Sequence, residues 1–262
     1  MRVAAPFHIL ESVNRRPWAL LTCEHASAEL PPAATRALTK KMGRAPAQSL
    51  RHASAAPGPG ADLGLAAHRF HDLHAAHLTA RVAEVLACPA VLGGVSRLWI
   101  DLNRAPDDPE LIPLDVDGVR IPFNQEMEPG ERAERIARVH APYHEAVDQV
   151  VRSYRDSLRA MVSIHTFTRS LGPGSGVRDF DVGILHDGSS PLSVQLRQVL
   201  CARGRAPRDN QPYSGFDGKI YSIARHGKNW SIPYVEVEIC DDRVDCGMMD
   251  DLVWALRTIF AP

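Results

Sequence analysis

The sequence predicts an α/β fold built on an open sheet. Short apolar runs that read as buried strands alternate with segments of helical periodicity. Two of those runs, Trp18 to Thr22 and Met161 to Ile164, stop abruptly on reactive side chains: Cys23, Glu24 and His25 after the first, His165 after the second. Open α/β sheets bind ligands at the carboxyl ends of their strands, so two such endings mark a candidate site.

The bounds are those of an ordinary globular chain. Its 262 residues are enough for one large domain with a sizeable core, and 1–262 is read as one. With 45% hydrophobic and 23% charged residues and a formal net charge of −1, nothing suggests nucleic acid or an anionic membrane as a partner. No apolar run approaches the roughly 18 residues of a spanning helix, and Met1 to Pro6 lacks the apolar core of a secretory signal. Five widely spaced cysteines, an odd number, read as free thiols in a reducing compartment. The expectation is a soluble cytoplasmic protein whose oligomeric state is open.

In chain order, residues 1–16 form a lead-in with room for a short edge element. The first strand covers 18–25 and ends before the Pro31-Pro32 turn. Residues 43–61, rich in Ala, Pro and Gly, read as a mobile insertion near the sheet edge. A helix follows from Asp72 to Ala87, with Leu78, Val82, Val85 and Leu86 on one face and Asp72 placed to cap it. His68, His71, His74 and His77 recur every three residues. A helix rotates about 300° over that step, so the four cannot face one ion. Ala90 to Leu92 is the next strand, and Ser96 to Arg104 reads as another, half-buried. Its Arg97, Asp101, Asn103 and Arg104 form either an ion-pair network or a clamp for carboxylates.

A long helix is expected over Glu131 to Leu158, kinked at Pro142. His140 and His144 on it have the spacing of the H-E-x-x-H metalloprotease ligands. Ala141 stands where the general base would be, and Pro142 disturbs the turn between them, so a metal site there is not expected. After His165, Gly172 to Gly176 reads as a lid loop, Asp181 to His186 as a strand and Leu192 to Ala202 as a helix. The last strand, Ile232 to Ile239, alternates: Tyr234, Glu236 and Glu238 on one face, Val235, Val237 and Ile239 on the other. Buried carboxylates are costly unless paired, protonated or beside a metal, so Glu238, nearest the strand end, is a candidate for chemistry. Met248, Met249, Leu252, Val253, Leu256 and Ile259 line the final helix.

Several blocks resemble the N-formylglutamate amidohydrolase family. They are Cys23-Glu24-His25-Ala26-Ser27, then Ser96-Arg97-Leu98 with Ile100-Asp101-Leu102-Asn103-Arg104, and Ser163-Ile164-His165-Thr166-Phe167-Thr168. Asn210-Gln211-Pro212-Tyr213, Val237-Glu238-Ile239, Pro142-Tyr143-His144 and Ile121-Pro122 with Asn124 also match in order. The resemblance implies a three-layer α/β/α fold with a mostly parallel sheet, akin to zinc carboxypeptidases. It also implies hydrolysis of an N-formyl amino acid to formate and the free amine.

Strand-end chemistry and resemblance meet in one expected site. Catalytic zinc takes three protein ligands and leaves a position open. His25 and His165 are the first two, and the resemblance adds Asp72 as third, with Glu24 and Glu29 as alternatives. Glu238 would serve as general base. Arg97, Asn103 and Arg104, with Asn210 and Tyr213, would bind a small acidic N-acyl amino acid. His144 and His226 match family positions and would steady an oxyanion. Three positions depart from the family pattern: Ala28 for Asn, Arg169 for Pro and Cys240 for Arg. Another acyl amino acid or peptide as substrate, or a non-catalytic binding role, therefore stays open.

Overall fold

The computed structural model of the chain describes residues 5–42, 67–170, 176–188 and 190–260. Its strands are β1 (Phe7–Leu10), β2 (Ala19–Cys23), β3 (Ala90–Gly93), β4 (Asp115–Val116), β5 (Val119–Arg120), β6 (Ala160–Phe167), β7 (Val182–Leu185), β8 (Arg208–Asp209) and β9 (Tyr234–Cys240). Its helices are α1 (Pro32–Met42), α2 (Ala75–Leu86), α3 (Glu131–Arg135), α4 (Ala141–Tyr154), α5 (Pro191–Ala202), α6 (Tyr221–Trp230) and α7 (Cys246–Phe260). The insertion expected at 43–61 lies outside the described residues, as does all but Gly176 of the expected lid loop.

Among the described residues, seven strands form one sheet in the order β1-β3-β2-β6-β9-β7-β8. The centre is parallel from β3 through β2 and β6 to β9, whereas β1 and β7 run antiparallel to their inner neighbours. Strands covered on both faces read as continuous apolar runs, which is why β2 and β6 stand out in the sequence.

Period-two alternation divides the core into two layers. Ala19, Leu21, Val162, Ile164, Val235, Val237 and Ile239 face α2, α5 and α7. Leu20 and Met161 face the other way, toward α1, α4 and α6, where Tyr143, Val147 and Ile223 pack. Each fully buried Val or Ile of β9 contributes about 1.5–3 kcal/mol relative to exposure. The expected three-layer α/β/α arrangement is therefore present. No helix among the described residues is long and apolar enough to cross a membrane.

Three elements differ from expectation. Residues 96–104 form turns rather than a strand, because their polar side chains capture nearby backbone donors: Ser96 Oγ takes Leu98 N at 3.2 Å and Asp101 Oδ1 takes Asn103 N at 2.8 Å. The helix expected over 131–158 ends at Tyr154 and is not continuous α-helix. Pro142 has no N–H to donate, and the chain before it widens into a π turn over Ile136–His140, with Ala141 N donating to Ile136 O. Finally, α2 begins at Ala75 after His74 in the left-handed region (φ 67°), so the Asp72 side chain does not cap it.

Candidate active site

The site is assembled where β2, β6 and β9 end. Their parallel register sets Ser163 beside Glu236 and His165 beside Glu238, all on the face that carries Glu24 at the end of β2. The segment before α2 is pinned between two of these ends. Asp72 N donates to His25 O at 2.9 Å, and Thr166 Oγ1 donates to Leu73 O at 2.7 Å. That brings Asp72 between the two strand-end histidines.

His165 Nδ1 lies 2.7 Å from Asp72 Oδ2, and His25 Nδ1 lies 3.6 Å from the same oxygen. Each ring turns its other nitrogen to a buried carboxylate: His25 Nε2 to Asp101 Oδ1 at 2.7 Å, His165 Nε2 to Glu24 Oε2 at 3.0 Å. Glu24 is itself held by Tyr143 Oη at 2.8 Å and Ser163 Oγ at 2.6 Å. Histidines that ligate metal commonly have their second nitrogen fixed by a carboxylate in this way.

Donor atoms of His25, Asp72 and His165 all lie within 4.8 Å of one another, and so do those of His165, Glu236 and Glu238. The first group fits an ion better. It leaves both Nδ1 atoms directed at one place, whereas the second would compete with Glu24 for His165 Nε2. The donor set, two imidazoles and a carboxylate, is one that zinc accepts.

A cavity of about 170 Å³ opens beside these groups, lined by His25, Asp72, Arg97, Asn103, Arg104, His165, Tyr213, Lys219, Glu236 and Glu238 among others. A larger cavity of about 580 Å³ elsewhere is lined by Trp99, Phe123 and Arg135, but its buried charge is already satisfied: Arg135 bonds Glu131 and Asn124. The smaller cavity is the one bordered by the strand-end histidines and carboxylates.

Its electrostatics are dominated by buried carboxylates: Glu24, Asp72, Asp101, Glu236 and Glu238. Burial opposes charge on His165, but the carboxylates of Glu236, Glu24 and Glu238 outweigh it and push the imidazole up to about 10. Burial, then Arg97, pushes His25 down to about 4 despite Asp101. Burial raises Glu236 to about 7 against the pull of His165, and burial also raises Glu238. Glu238 Oε2 is buried without a hydrogen-bond partner.

The substrate-side expectations divide. Arg97, Asn103, Arg104 and Tyr213 line the cavity. Arg97 Nη2 is engaged by Asp72 Oδ1. Asn103 Nδ2 bonds Glu236 Oε2 at 3.0 Å and Lys219 O at 2.9 Å, so it orients a carboxylate of the protein itself. Asn210 does not line the cavity. Its Oδ1 accepts His186 N and Gly215 N, both at 3.0 Å, which fixes the loop that presents Tyr213.

The expectation that His144 and His226 steady an oxyanion does not fit the geometry. Both are buried, bonded to each other at 2.9 Å, and absent from the cavity wall. Glu29 is exposed, and Glu24 anchors a histidine rather than taking a ligand's place. Arg169 and Cys240 also lie off the cavity wall. Arg169 pairs with Asp242 at 2.7 Å and Asp181 at 2.9 Å, and Cys240 packs against Phe167 and Phe180. Sequence patterning leaves Asp101 in an undivided polar cluster and assigns Glu236 nothing beyond its strand face.

The sequence model of the N-formylglutamate amidohydrolase family matches residues 18–244. The chain belongs to the N-formylglutamate amidohydrolase family. Among solved structures, a gene product from Agrobacterium tumefaciens is similar at 25% identity, covering 97% of this chain and 95% of that one with a TM-score of 0.76. An N-formylglutamate amidohydrolase from Ralstonia eutropha JMP134 shares the fold at 18% identity, with 97% of each chain covered and a TM-score of 0.67. No functionally curated protein matched the sequence. Membership in the N-formylglutamate amidohydrolase family supports an acylamino acid hydrolase.

Proposed function

We propose that the chain is a zinc hydrolase that cleaves the amide bond of an N-formyl amino acid, N-formyl-L-glutamate foremost, to formate and the free amino acid. The observation that carries this reading is the convergence of His25 Nδ1 and His165 Nδ1 on Asp72, beside the unpartnered oxygen of Glu238. His25, Asp72 and His165 would hold the zinc. When bound, zinc lowers the pKa of its water and polarises a carbonyl.

The protein's own residues divide the remaining work. Glu238 takes one proton from the attacking water, whose oxygen bonds to the formyl carbon, and passes it to the leaving nitrogen as the C–N bond breaks. Asp101 and Glu24 keep both imidazoles turned inward. Arg104, on the wall that Tyr213 also borders, supplies positive charge for the carboxylates of a small acidic substrate, while Lys219 beside it is paired with Glu110 at 2.6 Å. A cavity of about 170 Å³ suits one amino acid better than a chain.

Metal analysis and formate release test this together. One zinc per chain, with N-formyl-L-glutamate cleaved faster than N-formyl-L-leucine, is the expected result, and Arg104→Ala should raise KM mainly for the glutamate. A folded, metal-free protein that releases no formate would favour a binding role instead. Equal rates on both substrates would remove the acidic specificity.

A further inference from the structure

Hydrolysis leaves the buried histidines of the α3–α4 segment and α6 without a task, yet they form an unbroken chain. Asp148 Oδ1 faces His226 Nδ1 at 2.8 Å, and His226 Nε2 faces His144 Nδ1 at 2.9 Å. His144 Nε2 then faces His140 Nε2 at 3.2 Å, and His140 Nε2 faces the Arg104 carbonyl at 2.9 Å. His226, His144 and His140 are 0%, 3% and 3% exposed.

Both ends of this chain can only accept, one being a carboxylate and the other a carbonyl. The proton positions follow. His226 donates from Nδ1 to Asp148, so its Nε2 accepts. His144 must then carry its proton on Nδ1, and its Nε2 accepts in turn. His140 must carry its own on Nε2, where one N–H serves both His144 and the Arg104 carbonyl. Starting from the carbonyl gives the same assignment. Arg225 Nη1 lies 3.1 Å from His226 Nε2 and 3.3 Å from its Nδ1, so the assignment rests on the two ends of the chain alone.

The far end of the chain is the turn from Asp101 to Arg104. Asp101 anchors His25, Asn103 anchors Glu236, and Arg104 lines the cavity. Ser222 N, at the start of α6, donates to Asn103 Oδ1 at 3.0 Å and ties the turn to the same helix.

We propose that Asp148, His226, His144 and His140 act as a strut of ordered hydrogen bonds that holds the Arg104 carbonyl and so positions this turn against His25, Glu236 and the substrate carboxylate. They are positioning residues, since none of them lines the cavity. The kinetic consequence rests on the hydrolytic reading above; the proton assignment does not.

Two measurements test the strut. In ¹⁵N-histidine NMR spectra of the full chain at neutral pH, His226 and His144 should be protonated on Nδ1 and His140 on Nε2. A different tautomer at His144, or a charged ring in the chain, overturns the proposal whatever the activity. In kinetics at saturating zinc, His140→Phe keeps a ring beside Tyr221 but has no N–H. It should raise KM for N-formyl-L-glutamate roughly 10–100-fold. His140→Gln, whose amide can donate to the carbonyl, should recover most of that loss. An unchanged KM in His140→Phe, or equal loss in both variants, overturns the proposal. If the wild-type chain releases no formate, the hydrolytic reading fails while the spectra still decide the strut.

Discussion

Glu236 and Glu238 sit two residues apart on one strand face, and their surroundings give them different work. Glu236 is tied to Asn103 and lies 3.6 Å from His165 Nε2, whereas Glu238 keeps one buried oxygen without a partner. Glu238→Gln should lower kcat on the order of 10²–10⁴ with zinc content unchanged. Glu236→Gln should cost less, because the amide oxygen can still accept from Asn103. The reverse ranking would make Glu236 the base. At the next remove, Asp101→Asn weakens the anchor of His25 and should loosen zinc about 10–100-fold, measured by competition with a chromogenic chelator. Unaltered affinity would leave Asp101 with no part in holding the metal. Strand patterning makes His25, His165 and Glu238 legible in the sequence, since an abrupt strand end and a period of two need only local information. Asp101 and Glu24 are not legible there as anchors. Alternation says which face a residue occupies, but not which distant side chain meets it there.

Among elements, α6 is hidden in the sequence because it breaks the rules of helix interiors. Gly227 lowers the local preference for helix by about 1 kcal/mol, yet a Cβ there would come within 2.1 Å of the Tyr234 ring. The β4–β5 ribbon turns on Asp117-Gly118, whose φ values of 50° and 77° suit a two-residue hairpin, and it escapes the sequence reading because its strands are too short to show alternation. On β7, Gly183 pairs with Glu238, and a Cβ on it would meet Gln211 O at 1.8 Å. Gly183→Ala should therefore push out the loop that carries Tyr213 and destabilise the fold by about 1–3 kcal/mol, read by urea unfolding. A wild-type midpoint would show that the loop yields freely. Asp148 joins α4 to α6 through His226 and Trp230, both at 2.8 Å. Burial works to raise its carboxyl, but those bonds prevail and lower it from 3.8 to about 2. The folded state thus takes up this proton later than the unfolded one. The stability it adds is complete above about pH 4 and is lost as pH falls through about 2. Asp148→Asn should flatten that part of the stability curve, and a variant curve parallel to wild type would refute the linkage.

At the scale of the whole molecule, Asp72, Glu236 and Glu238 line a cavity wall with Glu24 and Asp101 buried behind it, and Arg97, Arg104 and Lys219 bring positive charge to the same wall. An ion held there should stabilise the native state. Zinc at a hundred times its dissociation constant adds about 2.7 kcal/mol, so chelation should lower Tm and added zinc restore it. A Tm indifferent to chelator would argue against the site. The contacts that build this centre also span great lengths of chain. His165 meets Glu24 across 141 residues, Asn103 meets Glu236 across 133, His165 meets Asp72 across 93 and His25 meets Asp101 across 76. Nothing local rehearses the arrangement, and every one of these pairings requires loop closure before it gives any return. Competence is consequently the last property the chain acquires as it folds. Recovery of activity after denaturation should lag the return of helical signal, and no excised half of the protein should retain a fraction of the whole's turnover.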